Sequence, residues 1–576
     1  IWRVWTHTGN FGWSAEIRIP FRTLNFDKNK GTWGINFQRI IRRKNEELMW
    51  SGFRRNQGLL RPQNAGQLTK LENISQGLGL ELIPYTAIRN SGIRDLDTDI
   101  YTENWNFDIG FDVNYNVTPS LKASFTYNTD FAEAEVDDRQ INLSRFPLFF
   151  PEKRAFFLEG SNIYSFAPRS GQRPYYSRTI GLFDNQPVPI TYGARLYGRA
   201  GDYDIALQHV RTGDRDEVKP EQFTLARVRR NFWKESRIGI IYTRRSTKDG
   251  EELDIPLQDR HTVGVDLELN TSEFLGDKNL QFEAFMVTHN PPSQADDSTQ
   301  FWDRTSRGLR FNFPNQPWSG HVSYREFGEA YNPAMGFHPR VNFRRVQPTI
   351  QFKPLFEESK LIRDMAYGIW FMHLMDLEWN KLTQDFRPEY QLTFETGDRF
   401  GIAVAHNYER LTSDFDILRD SSIIIPANEY NVWILGLELA TASWRKIVAE
   451  FALETGGFWT GNREQYDFGI TVRPLSGINL STQYVLTRVD LPEGSFDTQL
   501  LRFRGSFDFS PFISLNANVQ YDNLTDIIGL NSRFRWIITP GTEVFLVYNH
   551  NWMDSLDRFI TLDQTAIMKF VYTHRF

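Results

Sequence analysis

The residues best suited to chemistry are concentrated in one stretch of the chain. Asp130, Glu133, Glu135, Asp137 and Asp138 form an acidic run closed by Arg139, and Phe150-Pro-Glu-Lys-Arg-Ala-Phe-Phe-Leu-Glu-Gly160 sets Glu152, Lys153, Arg154 and Glu159 among paired aromatics. Hard cations take several oxygen ligands, so Asp130, Glu133 and Glu135 are candidate calcium ligands. Their spacing matches no EF-hand loop, and ion pairing with arginines is the alternative. Glu152, Lys153 and Arg154 could line a solute path or tie their segment to surrounding protein. Calcium is the only cofactor these residues suggest.

Other chemistries find little support. The 10 histidines are scattered, with no His-Glu-x-x-His zinc pair, Gly-x-Ser-x-Gly elbow or Walker loop. Carboxylates are abundant, so a glycosidase pair stays open. His373, in Trp370-Phe-Met-His-Leu-Met375, would need a Ser or Asn partner for hydrolysis; otherwise it reads as a histidine among interfacial aromatics. The chain has 0 cysteines, which removes disulfides and thiolate metal sites. A net charge of −6 argues against a nucleic-acid partner.

The elements that must position these residues are strands. Phe107, Ile109, Phe111, Val113, Tyr115 and Val117 alternate with polar residues including Asp108 and Asp112. Val263, Val265 and Leu267 alternate with Gly264, Asp266 and Glu268, and Leu501 and Phe503 with Arg502 and Arg504. Such a period of two places one set of side chains on each face of a sheet. No stretch approaches the roughly 18 apolar residues of a spanning helix. Aromatics are nevertheless 15% of the chain while mean hydropathy is −0.47, a combination that suits a transmembrane β-barrel, whose strands need only one apolar face. The last strand ends on Phe570, Tyr572 and Phe576, the usual barrel-assembly ending. The prediction is an all-β fold: a large antiparallel barrel of about 24 strands, with 22–26 consistent, in the outer membrane of a Gram-negative bacterium. A large soluble β protein also alternates, but here the polar face carries full charges on strand after strand.

Near the C-terminus short turns, such as Pro474–Gly477, alternate with longer connections at Asp490–Asp497, Asp522–Gly529 and Met553–Asp563, read as external loops; Ser91–Asn104 is another. The alternation stops after Asp130, and residues 131–185 carry too many aromatics to sit in water. Irregular backbone is not tolerated against lipid, so this segment is expected to fold into the barrel mouth from the external side as a plug. Arg502, Arg504, Arg533 and Arg535 point inward on late strands and Asp108 and Asp112 on an early one, and these are expected to form facing charge rows.

Residues 1–76 precede the barrel (77–576) and are too few for a good independent β core. Their domain is expected to begin upstream, as is any targeting signal. The run Trp13…Glu16-Ile-Arg-Ile-Pro-Phe21 with Trp33-Gly-Ile-Asn-Phe37 and Arg39 resembles the end of a family-9-type carbohydrate-binding domain. Phe150–Gly160, Asn332-Pro-Ala-Met-Gly-Phe337 and Phe343-Arg-Arg345 resemble the large outer-membrane proteins of Bacteroidetes and some proteobacteria that carry such a domain before a barrel of unknown function. The resemblance spans nearly the whole chain. It implies sugar contacts from paired aromatics, for which Trp13, Trp33 and Trp50 are candidates by residue type, although packing aromatics read the same way. The partners expected are outer-membrane lipid, a polar solute or glycan, and other envelope proteins. The leading functional expectation is a plugged, non-enzymatic channel or binding barrel. The alternatives are a sealed structural partner in an envelope complex and a membrane-embedded glycan- or lipid-acting hydrolase.

Overall fold

The structure is a computed structural model. It describes the chain apart from residues 1, 22–23, 25, 28–29, 42–45, 53–57, 61, 75–76, 132–135, 184–185, 216–217, 248–258, 292–298 and 556–557. Glu133 and Glu135, and the basic run Arg42, Arg43 and Lys44, therefore lie outside the described residues.

Period-two patterning resolves into a closed antiparallel barrel of 24 strands, from Leu80–Asp95 to Arg558–Tyr572, the last of which His574–Arg575 continues. The barrel closes where the last strand pairs with the first, Met568 opposite Ile88 and Phe570 opposite Thr86. The Phe576 amide donates to the Leu80 carbonyl at 3.0 Å, and the Leu78 amide to the Phe576 carbonyl at 3.2 Å. Closure leaves no unpaired edge to recruit another chain. Phe570, Tyr572 and Phe576 are exposed on the outer surface.

Side chains sort as the pleat requires. On Asp259–Phe274, Val263 and Val265 are exposed outward while Asp266 and Glu268 are buried inward. On Gly494–Ser510, Leu501 and Phe503 face out and Arg502 and Arg504 face in. An apolar outer stripe around a closed barrel is stable only against acyl chains, because water would have to solvate it and no second protein layer covers it among the described residues. The protein is an outer-membrane barrel.

One end of the barrel carries only tight turns and short connections, together with the chain terminus. The other carries the longer loops, including 328–342 and 411–428. Longer loops mark the external side. Four of the expected external loops are nonetheless largely strand. Leu80–Asp95 and Ile100–Thr118 pair up to Asp95 opposite Ile100, leaving 96–99 as the turn. Gly494 pairs with Leu491 and Ile527 with Asp522, and Arg558 pairs with Ser555. Asp, Asn and Gly residues there made ladder positions look like loop, because each cross-strand partner lies in the adjacent hairpin arm and satisfies the backbone.

Neighbouring strands Leu121–Thr129 and Ile190–Ala200 pair with each other, Thr129 opposite Ile190, so residues 130–189 leave the wall at the external end and return to the same place. They fold inward. Where they sit, the inner stripe of the wall is partly apolar. Leu225, Ile241, Phe285, Val287, Phe327 and Phe343 form one buried cluster with Ile163, Tyr164, Phe166 and Ala167 of the plug. The sequence leads one to expect plug aromatics packed together and plug charges against a polar wall; in the structure the wall also contributes apolar residues to the plug's core.

The described residues of 1–76 include three two-stranded pieces: Arg3–Gly9 with Gly12–Arg18, Trp33–Ile35 with Gly66–Leu68, and Gln38–Ile41 with Glu46–Met49. Trp33 packs on Phe21 and Phe26 at 5.7 and 4.9 Å between centroids. Trp50 meets Phe37 at 5.8 Å, and Arg39 lies 5.4 Å over Trp13. The three tryptophans thus occupy separate aromatic contacts and do not build one paired platform.

Candidate functional site

The plug has two parts with different attachments. Its body, 149–182, contains the short helices α1 (Ala155–Leu158) and α2 (Ser161–Tyr164). It is stapled internally by Glu152 and Arg154. Arg154 Nε and Nη2 donate to the Glu152 carboxylate at 2.8 and 2.7 Å, and Nη1 and Nη2 reach the Ile180 and Ser177 carbonyls at 2.7 and 2.8 Å. The guanidinium lies 4.2 Å over Phe157 and 5.2 Å over Phe131. Burial alone would raise the Glu152 carboxyl, but the hydrogen bonds and charge of Arg154 and the Ser177 hydroxyl outweigh it and hold the group below the ordinary carboxylate range. Glu159 follows the same logic: burial is outweighed by Lys122, 2.6 Å away. Glu152 thus ties the plug body to itself, and Glu159 ties it to the wall strand Leu121–Thr129.

Wall charges reach in to hold the body. Arg227 donates bidentately to Asp266 at 2.7 and 2.7 Å and to the Ser165 carbonyl at 3.1 Å, while Asp266 accepts the Ala167 amide at 3.2 Å. Glu283 accepts the Ser170 and Arg169 amides at 2.7 and 3.0 Å. Each of these buried charges is answered by its opposite or by a backbone dipole, as burial demands. The external loop 328–342 completes the seat. The Tyr176 amide donates to the Met335 carbonyl at 2.7 Å, and Phe337 packs on Phe149 and Tyr176 at 5.4 and 5.4 Å. The Asn332–Phe337 and Phe150–Gly160 strings thus belong to one packed unit.

The second part is an arm, residues 136–146, that crosses the outer mouth. Asp137 pairs with Arg178 and, at 3.4 Å, with Lys153. Asp138 pairs with Arg504. Burial would raise the Asp138 carboxyl, but Arg504 and Arg502 hold it below the usual range. The Arg139 guanidinium donates to Asp522 at 2.9 Å, and its carbonyl accepts Arg502 at 2.5 Å. At the far end Arg145 pairs with Glu409, and Arg419 donates to the Asn142 and Ser144 carbonyls at 2.6 and 2.8 Å. Leu143 tucks under the external loop with Ile417, Ile423 and Ile425.

Beside the arm the lumen is unfilled. Cavities of about 700, 380 and 220 Å³ lie along the strands from Phe343–Phe352 to Gly494–Ser510, and Asp467 borders all of them. The largest lies between the arm and Glu409, Gln465, Gln483 and Thr487. Deeper, Glu438 and Glu450 face Arg399, Arg502 and Arg504 around the second. A cross-strand glycine lies beside each of these carboxylates, Gly401 by Glu438 and Gly469 by Glu450, leaving room for the side chain over the wall.

The expected facing rows are not what the inward charges build. Arg502 and Arg504 answer to the plug arm, and Arg535 pairs with Glu543 on the next strand at 2.8 Å. Arg533 is likewise engaged. Asp108 and Asp112 sit opposite Ala87 and Thr126 in register, away from the late arginines. Of the calcium candidates, Asp130 is held by Arg89 at 2.7 Å and Lys569 at 3.5 Å. Among the described residues no group of three or more metal-ligating side chains converges. His373 stacks on Phe371, 6.4 Å between centroids. Sequence reading missed Asp266, Glu283, Glu438, Glu450 and Asp467. Their alternation with apolar residues placed them inward, but nothing local says which meets plug and which meets water.

Residues 77–190, the first strands and the plug, match the model of a domain of unknown function, DUF5916. No curated protein matches the chain. Solved structures similar to it include the FrpB iron transporter of Neisseria meningitidis, at 11% identity over 67% of this chain and 79% of that one, TM-score 0.39. A mutant of the ferric enterobactin receptor PfeA of Pseudomonas aeruginosa is similar at 9% identity over 87% and 81%, TM-score 0.39. OccAB3 of Acinetobacter baumannii is similar at 8% identity over 86% and 99%, TM-score 0.29.

Proposed function

We propose that this barrel is a non-enzymatic outer-membrane channel in which the plug body narrows the lumen and a polar solute passes along the unfilled side, under the arm. The observation that carries this reading is the run of cavities sharing Asp467, lined by Glu438 and Glu450 on one side and Arg502 and Arg504 on the other. Opposed charges with water between them orient a dipolar or multiply hydroxylated solute and reject apolar ones. A carbohydrate is the solute class the N-terminal resemblance adds. Planar-bilayer recording is the test. Purified barrel should give discrete conductance steps, and Glu438→Gln with Glu450→Gln should lower its preference for cations over anions. Complete silence, in the wild type and in a chain lacking residues 131–185, would mean a sealed barrel and favour the structural-partner reading. That second reading draws its support from the buried pairs that lock the plug body, Arg227–Asp266 above all.

A further inference from the structure

One group of charges in the lumen is not answered. Arg310, Arg325 and Arg345 lie on three consecutive strands, Thr305–Pro314, Trp318–Phe327 and Phe343–Phe352, and share the inward face. Arg325 is directly opposite Arg345 in register, and Arg310 is opposite Ser323, two residues along the same face. Like charges placed directly across a ladder repel. The plug adds a fourth. Arg173 stacks 4.1 Å over Phe149 and is close enough to act on Arg325 through its charge. Arg325 reaches the plug backbone, since a Cβ built on Gly171 would sit 3.8 Å from its Nη1.

Among the described residues, no ion pair neutralises this group. Glu283, across the ladder from Arg310, acts on Arg310 and Arg325 through its charge, but both its oxygens accept plug amides and it makes no ion pair with any of the four arginines, leaving one carboxylate against four guanidinium groups. Glu326 alternates onto the opposite face and pairs there with Arg307 and Arg344. His321 donates to or accepts from Thr349 through Nδ1 at 2.7 Å, and its Nε2 is buried without a partner. Arg310 donates once, to the Arg169 carbonyl at 2.9 Å. The buried Nε atoms of Arg310, Arg325 and Arg345 and the Ser323 hydroxyl have no hydrogen-bond partner. Arg227 and Arg229, buried elsewhere in this lumen, are by contrast paired with Asp266 and Asp204. Several planar guanidinium groups and a hydroxyl, beside a carboxylate already occupied by backbone amides, form a donor set suited to a tetrahedral oxyanion.

We propose that Arg310, Arg325, Arg345 and Arg173 form an oxyanion site between plug and wall that takes a phosphate- or sulfate-type group, free or carried on a solute. The site lies on the filled side of the lumen, apart from the path beside the arm, so it stands independently of that reading. It also joins plug to wall, because Arg173 comes from one and the other three from the second.

The experiment is calorimetric titration of the purified barrel in detergent with inorganic phosphate, sulfate and a sugar phosphate, against chloride at matched ionic strength. Saturable binding of inorganic phosphate or sulfate is expected. Equal affinity for the sugar phosphate would point to the free ion, and tighter binding to a group carried on a solute. Arg325→Met with Arg345→Met should weaken binding by about tenfold or more and should raise the unfolding temperature in chloride, because it removes repulsion. Arg173→Met, changed on the plug alone, gives a second reading should the double variant fold poorly, and should also weaken binding. Absence of saturable binding by any of the three ligands, or unchanged binding in the variants, would overturn the proposal. So would an unfolding temperature in chloride that falls in the double variant, since the arginines would then be bracing the fold unaided.

Discussion

Arg154→Met is expected to release the plug body while leaving the barrel closed. Arg154 and Glu152 are both nearly buried, with side chains 9% and 11% exposed. Removing the guanidinium strands a carboxylate and frees the Ile180 and Ser177 carbonyls, and breaking such a buried pair costs about 3–5 kcal/mol. None of those partners is on the wall, so the loss falls on residues 149–182 and not on the strand ladder. Limited proteolysis should therefore cut within 130–189 in the variant and spare that region in the wild type, while both keep the folded-barrel migration on unheated gels. The same pair sets a pH dependence. Glu152 is held below its unfolded value, so its contribution is complete above the ordinary carboxylate pKa of about 4.3 and fades as pH falls through the lower folded value. Wild-type protease resistance of the plug should fade on acidification below that point; Arg154→Met should lack this pH dependence.

Asp138→Arg is expected to open the mouth. Asp138 is the arm's contact with Arg504, and Arg502 is its neighbour on the same face. Reversing its charge sets three cations together at the arm's contact with the wall. The rest of the arm's hold on the late strands, Arg139 with Asp522 and Gln520, lies one residue away and would be strained by the same repulsion. The plug body has separate anchors, so the arm can lift without unseating it. Single-channel conductance should rise severalfold over the wild type. Restoring attraction with Arg502→Glu and Arg504→Glu in the same chain should return it toward the wild-type value. Unchanged conductance in Asp138→Arg would mean the arm is not the constriction.

How much of this was legible follows from which interactions are local. The side-chain period of two is written in neighbouring residues, so Val263 and Asp266, or Leu501 and Arg502, declare their faces directly, and the strand number follows. The plug announced itself as aromatic sequence without period. Three things were hidden because they depend on residues far apart in the chain. The inward stripe turns apolar at Leu225, Ile241 and Phe285 only because Ile163 and Phe166 fill the lumen there. Asp138 and Arg504 are separated by most of the barrel, so the sequence showed two charges and not a latch. Arg310 and Arg325 alternate inward as legibly as any lumen charge, but that the carboxylate opposite, Glu283, is taken up by plug amides is a property of the folded plug and the closed sheet. Hairpins such as Ser555 opposite Arg558 were mistaken for loops because polar ladder residues outside the apolar band look like turn.

The account rests on which face of each strand meets lipid and which meets water beside the arm. The chain contains 0 cysteines, so single cysteines report cleanly. On Gly461–Val472, Gln465 and Gly469 face the cavities while Phe468 and Ile470 face outward at 46% and 53% exposure. Gln465→Cys, Gly469→Cys, Phe468→Cys and Ile470→Cys, each reconstituted in lipid vesicles, should be reacted with a water-soluble maleimide. Rapid labelling at 465 and 469, with protection at 468 and 470 that detergent alone cannot lift, is the predicted result. Labelling of 468 and 470 as fast as 465 and 469 in intact vesicles would contradict it.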